Sequence, residues 1–183
     1  MRFWICLLLF ASFNANASPA HEAGAGGATP TPWVAQLQHM RDDVAERTGK
    51  LVSVAMGFIG VPYRRGGTSA DTGLDCSGFV RAVFEQAKGL ALPRRANEQA
   101  AATEKIEKQD LQPGDLVFFN TMRRAFSHVG IYLGDGKFIH SPRSGAQVRV
   151  ESMHTSYWQR RFNGARRVAQ DEADALIAAS LQR

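Results

Sequence analysis

Two apolar runs, residues 127–133 and 138–141, flank Gly134-Asp135-Gly136, and no other stretch limits the possible folds as much. An Asp-Gly pair between apolar runs is a strong hairpin signal, so the two runs form adjacent antiparallel strands. Each strand carries one histidine, His128 and His140. A further all-apolar strand spans 116–119 after the turn Pro113-Gly114-Asp115, and residues 148–150 and 162–168 supply the remaining strands, with 152–159 irregular between them. Helical patterns come first in the chain. Trp33, Leu37, Met40 and Val44 recur at helical spacing behind Thr31-Pro32, which has the form of an N-cap followed by proline at the first helical position. Gly49 is a possible interruption, and Leu51, Ala55 and Phe58 resume the pattern. A short helix is expected over 96–105. Helices followed by an antiparallel sheet make an α+β pattern rather than alternating βαβ units.

A second stretch carries the chemistry. Pro62 and Gly66-Gly67 mark a loop, and from Phe79 the residues Val80, Val83, Phe84 and Ala87 share one helical face. Cys76 therefore stands where a glycine-rich loop enters an amphipathic helix. The unpaired N–H groups and dipole of a helix start favour a thiolate, the nucleophilic form of cysteine. A cysteine nucleophile needs a base, and the base needs a group to orient it. His128 and His140 are the candidates, and the expectation is a resting thiolate–imidazolium pair. By itself, a lone cysteine is more often a small buried apolar residue.

The N-terminal residues have the form of an export signal. Arg2 is followed by an apolar run from Phe3 to Ala11, and Ala15-Asn16-Ala17 fits a small-x-small cleavage site. Cleavage would remove Cys6 with residues 1–17, leave Cys76 as a single free thiol, and leave no stable membrane anchor. Residues 18–30 read as a flexible linker and 169–183 as an amphipathic helical tail. The formal charge of +5 is concentrated in Arg64-Arg65, Arg94-Arg95, Arg123-Arg124, Arg160-Arg161 and Arg166-Arg167. Such a surface suits an anionic polymer. Export argues against nucleic acid. No Cys-x-x-Cys or His-Glu-x-x-His spacing occurs, so neither a metal nor another cofactor is expected.

Five motifs in order resemble the NlpC/P60 cysteine peptidases. They are Pro62-Tyr63-x-x-Gly66-Gly67, Asp75-Cys76-Ser77-Gly78-Phe79-Val80, Leu111-x-Pro113-Gly114-Asp115-Leu116-Val117-Phe118-Phe119, Ser127-His128-Val129-Gly130-Ile131-Tyr132 and Phe138-Ile139-His140. The closing Tyr157-Trp158-x-x-Arg161-Phe162-Asn163-x-Ala165-Arg166-Arg167-Val168 is similar to the Gram-negative murein endopeptidase branch. The resemblance implies a papain-like fold over residues 31–168, with N-terminal helices packed on an antiparallel sheet of about five to six strands. It implies a monomeric, periplasmic enzyme acting on peptidoglycan stem peptides, at the D-Ala–diaminopimelate cross-link or at the γ-D-Glu–diaminopimelate bond. Cys76 would be the nucleophile, His128 the base and His140 its orienting partner. Tyr63 would help stabilise the oxyanion, and Asp75 and Ser77 would contact substrate. Asp75 is equally suited to capping the helix. Arg65 departs from the aromatic residue that many relatives carry before the glycine pair. A non-catalytic peptidoglycan-binding module and an acyltransferase are the readings from other classes.

Overall fold

The computed structural model describes residues 32–121 and 124–169. The expected signal, the linker, Thr31, Arg123 and the tail from residue 170 lie outside the described residues. Four helices, α1 (Pro32–Gly57), α2 (Cys76–Lys88), α3 (Ala96–Ala101) and α4 (Ser156–Gln159), accompany eight strands. Two of the strands, β1 (Thr68–Ser69) and β2 (Gly73–Leu74), form a small ribbon within the loop that leads to Cys76. The others are β3 (Glu104–Ile106), β4 (Leu116–Phe119), β5 (His128–Gly134), β6 (Lys137–His140), β7 (Arg149–Ser152) and β8 (Phe162–Arg167). They make one six-stranded antiparallel sheet in the order β3-β8-β4-β5-β6-β7. This is the α+β architecture read from the sequence. Among the described residues no helix is long and apolar enough to cross a membrane.

Three local expectations change. The N-terminal helical region is one helix, not two, because Gly49 is tolerated inside α1; an interior glycine costs only about 1 kcal/mol relative to alanine. Residues 152–159 are not wholly irregular, since α4 forms there. The helix expected over 96–105 stops at Ala101. Thr103 Oγ1 bonds back to the Gln99 carbonyl at 2.7 Å, and Glu104–Ile106 pair with Ala165–Arg167 at the sheet edge. Pairing with a strand some sixty residues away overrides the local preference.

The sheet buries both faces. Side chains alternate across it, so Leu116 and Phe118 face one side and Val117 and Phe119 the other. The larger core lies on the first side. There Leu116, Phe118, Val129, Ile131 and Ile139 pack with Phe79, Val80, Val83 and Phe84 of α2 and with Leu51 and Ala55 of α1. On the second side Val117, Phe119, Phe138 and Met153 surround Trp158 of α4. The hairpin turn is as read: Gly134, Asp135 and Gly136 all have positive φ, at 99°, 50° and 67°. Gly130 allows β5 and β6 to approach. A Cβ there would lie 2.7 Å from Phe138 Cδ2 and 2.8 Å from the Ile139 carbonyl oxygen. These two strands carry His128 and His140.

Phe79 anchors α2. It is fully buried and meets Phe58 edge-on, with ring centroids 5.9 Å apart. Phe79→Ala should destabilise the domain by about 3–5 kcal/mol, measured by urea unfolding, because the surrounding core cannot collapse into the space.

Candidate active site

The loop leading to Cys76 is organised by Asp75. As N-cap of α2 it accepts the Gly78 N–H on Oδ1 at 2.8 Å, and its Oδ2 accepts the Gly66 N–H at 3.0 Å. Arg94 forks onto both oxygens, Nη1 to Oδ1 at 2.9 Å and Nη2 to Oδ2 at 2.6 Å. Nη1 also reaches Ser77 Oγ at 3.0 Å. Both carboxylate oxygens are thus engaged within the protein, and Ser77 is buried against the same guanidinium. Gly78 lets the helix start press on the loop, for a Cβ at this position would lie 2.2 Å from the Gly67 carbonyl oxygen. Cys76, the first residue of α2, is half-buried and free. Its sulfur is met by the backbone N–H groups of Val129, Ser77 and Cys76 itself. The thiol therefore lies against the beginning of β5, at the residue after His128.

His128 and His140 are brought together. His128 Nε2 and His140 Nδ1 are 2.7 Å apart, with the rings perpendicular, and neither residue is more than 4% exposed. Trp158 stacks on His128 with centroids 5.6 Å apart and presents its edge to His140. Ser141, next to His140, donates its hydroxyl to the Leu74 carbonyl at 2.7 Å. This bond ties β6 directly to the loop carrying Cys76. Tyr63 is half-buried in the same loop, and burial with the nearby Cys76 and Asp75 raises its pKa, which keeps the phenol a hydrogen-bond donor.

Desolvation works against the expected ion pair. Burial, with Asp75 next to it, pushes the Cys76 thiol up to about 11 despite the three N–H groups around the sulfur. Burial and the neighbouring His140 push His128 down to about 3. The helix start favours thiolate, but here loss of water around both groups outweighs it. Burial thus favours the uncharged thiol and imidazole.

The site opens into a cleft of about 810 Å³ lined by Tyr63, Arg65, Cys76, Arg94, Arg95 and Arg124, among others. Arg65 and Arg124 are exposed at its walls. Phe126, another lining residue, has a φ of 50°, and its N–H is held by Asn163 Oδ1 at 2.7 Å.

Three residues of the site were not singled out from the sequence. Arg94 lay in what read as a connector. Glu151 of β7 and Trp158 of α4 stand behind the histidines, Trp158 Nε1–H donating to Glu151 Oε2 at 2.5 Å. The Tyr157-Trp158 pair was a usable signal for Trp158. For Arg94 and Glu151 there was none.

A cysteine at a helix start, set against paired histidines on an antiparallel sheet, is the arrangement of the papain-like cysteine peptidase class. The chain belongs to the NlpC/P60 family, whose model matches residues 60–167. It is 44% identical over 128 residues to murein DD-endopeptidase MepH of Escherichia coli K12, across 68% of this chain and 47% of that protein. It is also 44% identical over 126 residues to gamma-DL-glutamyl hydrolase of Bacillus subtilis 168, across 68% of this chain and 30% of that one. The chain therefore spans less than half the length of either relative. Among solved structures, an NLP/P60 family protein similar to a lipoprotein from Staphylococcus aureus Mu50 superposes with a TM-score of 0.61 at 35% identity. That match covers 68% of this chain and 42% of the other. The NlpC/p60 domain of peptidoglycan hydrolase SagA superposes with a TM-score of 0.57 at 34% identity, covering 66% of this chain and 98% of that domain.

Two measurements follow from the protonation states. Iodoacetamide should label Cys76 slowly at neutral pH and faster as the solution becomes alkaline, and a labelling midpoint below about 7 would contradict a neutral resting pair. Stability should fall on acidification. The unfolded chain protonates His128 near 6.5 and the folded chain only near 3, so stability is gained as pH rises through that window and lost as it falls. Between pH 7.5 and pH 5 the loss attributable to His128 is about 2 kcal/mol, and a His128→Gln variant should lack it in urea unfolding at the two pH values.

Proposed function

We propose that this protein is a cysteine endopeptidase that hydrolyses amide bonds in peptidoglycan stem peptides. The observation that carries the reading is the buried 2.7 Å bond between His128 and His140, built at the end of the sheet where the Cys76 sulfur meets the Val129 N–H. A histidine held by its far nitrogen has one ring nitrogen left, and on His128 that is Nδ1. This nitrogen takes the Cys76 proton as the sulfur attacks the carbonyl carbon, and returns it to the leaving amine. The acyl–sulfur bond that results is then cleaved by water, whose proton passes to the same nitrogen. The Cys76 N–H and the Tyr63 hydroxyl meet the oxyanion, a single such donor being worth about 3 kcal/mol of barrier. Because the resting pair is uncharged, proton transfer accompanies attack rather than preceding it. Asp75 and Ser77 frame the cleft floor, with Asp75 acting through its bonds to Arg94 and the helix start. The arginines along the cleft suit the carboxylates of a stem peptide.

The cleavage we propose is at the D-Ala–diaminopimelate cross-link, with the periplasm as the setting and a single copy of the chain as the working form. Likeness to a murein DD-endopeptidase supports this bond. Equal identity to a gamma-DL-glutamyl hydrolase favours the γ-D-Glu–diaminopimelate bond as the second reading. Purified protein incubated with sacculi should release muropeptides whose masses show which bond was cut. Cross-linked dimers falling to monomers support the first reading, and stems shortened to the dipeptide support the second. Sacculi bound but uncut would overturn hydrolysis in favour of a binding module.

Cys76→Ser should fold as the wild type does and release nothing, since a hydroxyl is a far weaker nucleophile at neutral pH; a wild-type rate in that variant would exclude Cys76 as the nucleophile. Turnover by His140→Ala should exceed that by His128→Ala, because the first loses orientation and the second loses the proton carrier. The reverse order in two folded variants would contradict the assigned roles.

A further inference from the structure

Glu151 has no assigned part in the Cys76, His128 and His140 set, yet its carboxylate stands behind it. His140 Nδ1 faces His128, and His140 Nε2 lies 3.7 Å from Glu151 Oε2. His140 is fully buried, and its Nε2 has no hydrogen-bond partner. The groups facing the carboxylate come from three elements. Trp158 of α4 donates its Nε1–H to Oε2 at 2.5 Å, Arg149 of β7 donates its Nε–H to Oε1 at 2.5 Å, and His140 of β6 approaches Oε2. His140 first, then Trp158 and Arg149, hold the carboxyl down to about 2, so it is charged at neutral pH.

A hydrogen bond between two neutral imidazoles can run in either sense. In one sense His140 carries its proton on Nε2, and its Nδ1 accepts from His128 Nε2–H. His128 Nδ1 is then left with a lone pair. In the other sense His140 Nδ1–H donates to His128 Nε2, and the proton of His128 sits on Nδ1. Only the first arrangement provides a base for the Cys76 thiol. An isolated pair of histidines has no means of choosing. A carboxylate beside His140 Nε2 does choose, since it attracts an N–H and repels a lone pair at that position.

The geometry points to Glu151 as a positioning residue that selects the productive tautomer of both histidines and stabilises the His128 imidazolium formed during attack. Its negative charge acts through His140. Arg149 offsets part of that charge at Oε1, the oxygen other than the one His140 approaches, and Trp158 fixes the carboxylate while its ring stacks on His128. The inference rests on the proposed roles of Cys76 and His128.

Two of its tests need no peptidoglycan. Nitrogen-15 NMR of the wild-type imidazoles at neutral pH should show both rings protonated at Nε2. A Glu151→Gln variant keeps the size of the side chain and removes the charge. Its rate constant for iodoacetamide alkylation of Cys76 at pH 7.5 should fall, because the charge-separated pair that reacts is less populated. On a soluble muropeptide its kcat should fall by on the order of tenfold to a hundredfold, with KM within about twofold. His128 protonated at Nδ1 in the wild type would overturn the proposal, as would a folded Glu151→Gln protein matching the wild type in both alkylation and turnover. If the variant does not fold, the wild-type tautomers still decide. If the wild type cuts no peptidoglycan, the peptidase reading fails while the NMR and alkylation results still decide the role of Glu151.

Discussion

The Asp75 carboxylate is the interaction on which the site depends. It caps α2, fixes the Gly66 amide of the preceding loop and receives both ends of the Arg94 fork from the segment before α3. Three pieces of chain are thereby joined at one carboxylate. A bidentate guanidinium–carboxylate pair gives direction as well as energy. Because the pair is partly buried, removing either partner would leave the other charged and unpaired, which is costly. The orientation of the Cys76 sulfur is inherited from this arrangement.

A second constraint is the exclusion of water. The histidine pair is enclosed by Phe119, Phe138 and Trp158, and the same enclosure that fixes its geometry makes a resting positive charge expensive. In the proposed reaction, proton transfer becomes favourable as negative charge develops on substrate oxygen beside the N–H and O–H donors assigned to it. His128, His140 and Glu151 stand on the neighbouring strands β5, β6 and β7 of one sheet.

Local signals made much of this readable. The Asp-Gly hairpin fixed two strands and their histidines, and the periodic face from Phe79 to Ala87 placed Cys76 at a helix start. What escaped depended on distant parts of the chain. β3 exists because β8 offers it an edge, and nothing within residues 96–106 reports that edge. Glu151 is one carboxylate among many until strand pairing puts it behind His140. The helix start at Cys76 is visible in sequence, whereas the burial that works against its thiolate is a property of the packed whole.

The sheet carries a separate core on each face, and the chemistry draws on both. Cys76 packs with the larger core beneath α2, while the rings of His128 and His140 sit among the aromatic residues around Trp158. Their alignment is consequently a joint property of two packing layers, coupled through β5 and through the Ser141–Leu74 bond. Slippage of either layer by a fraction of an ångström would misalign the pair while leaving every helix and strand intact. In the proposed enzyme, a loosened but still folded state would lose this alignment before the backbone unravels.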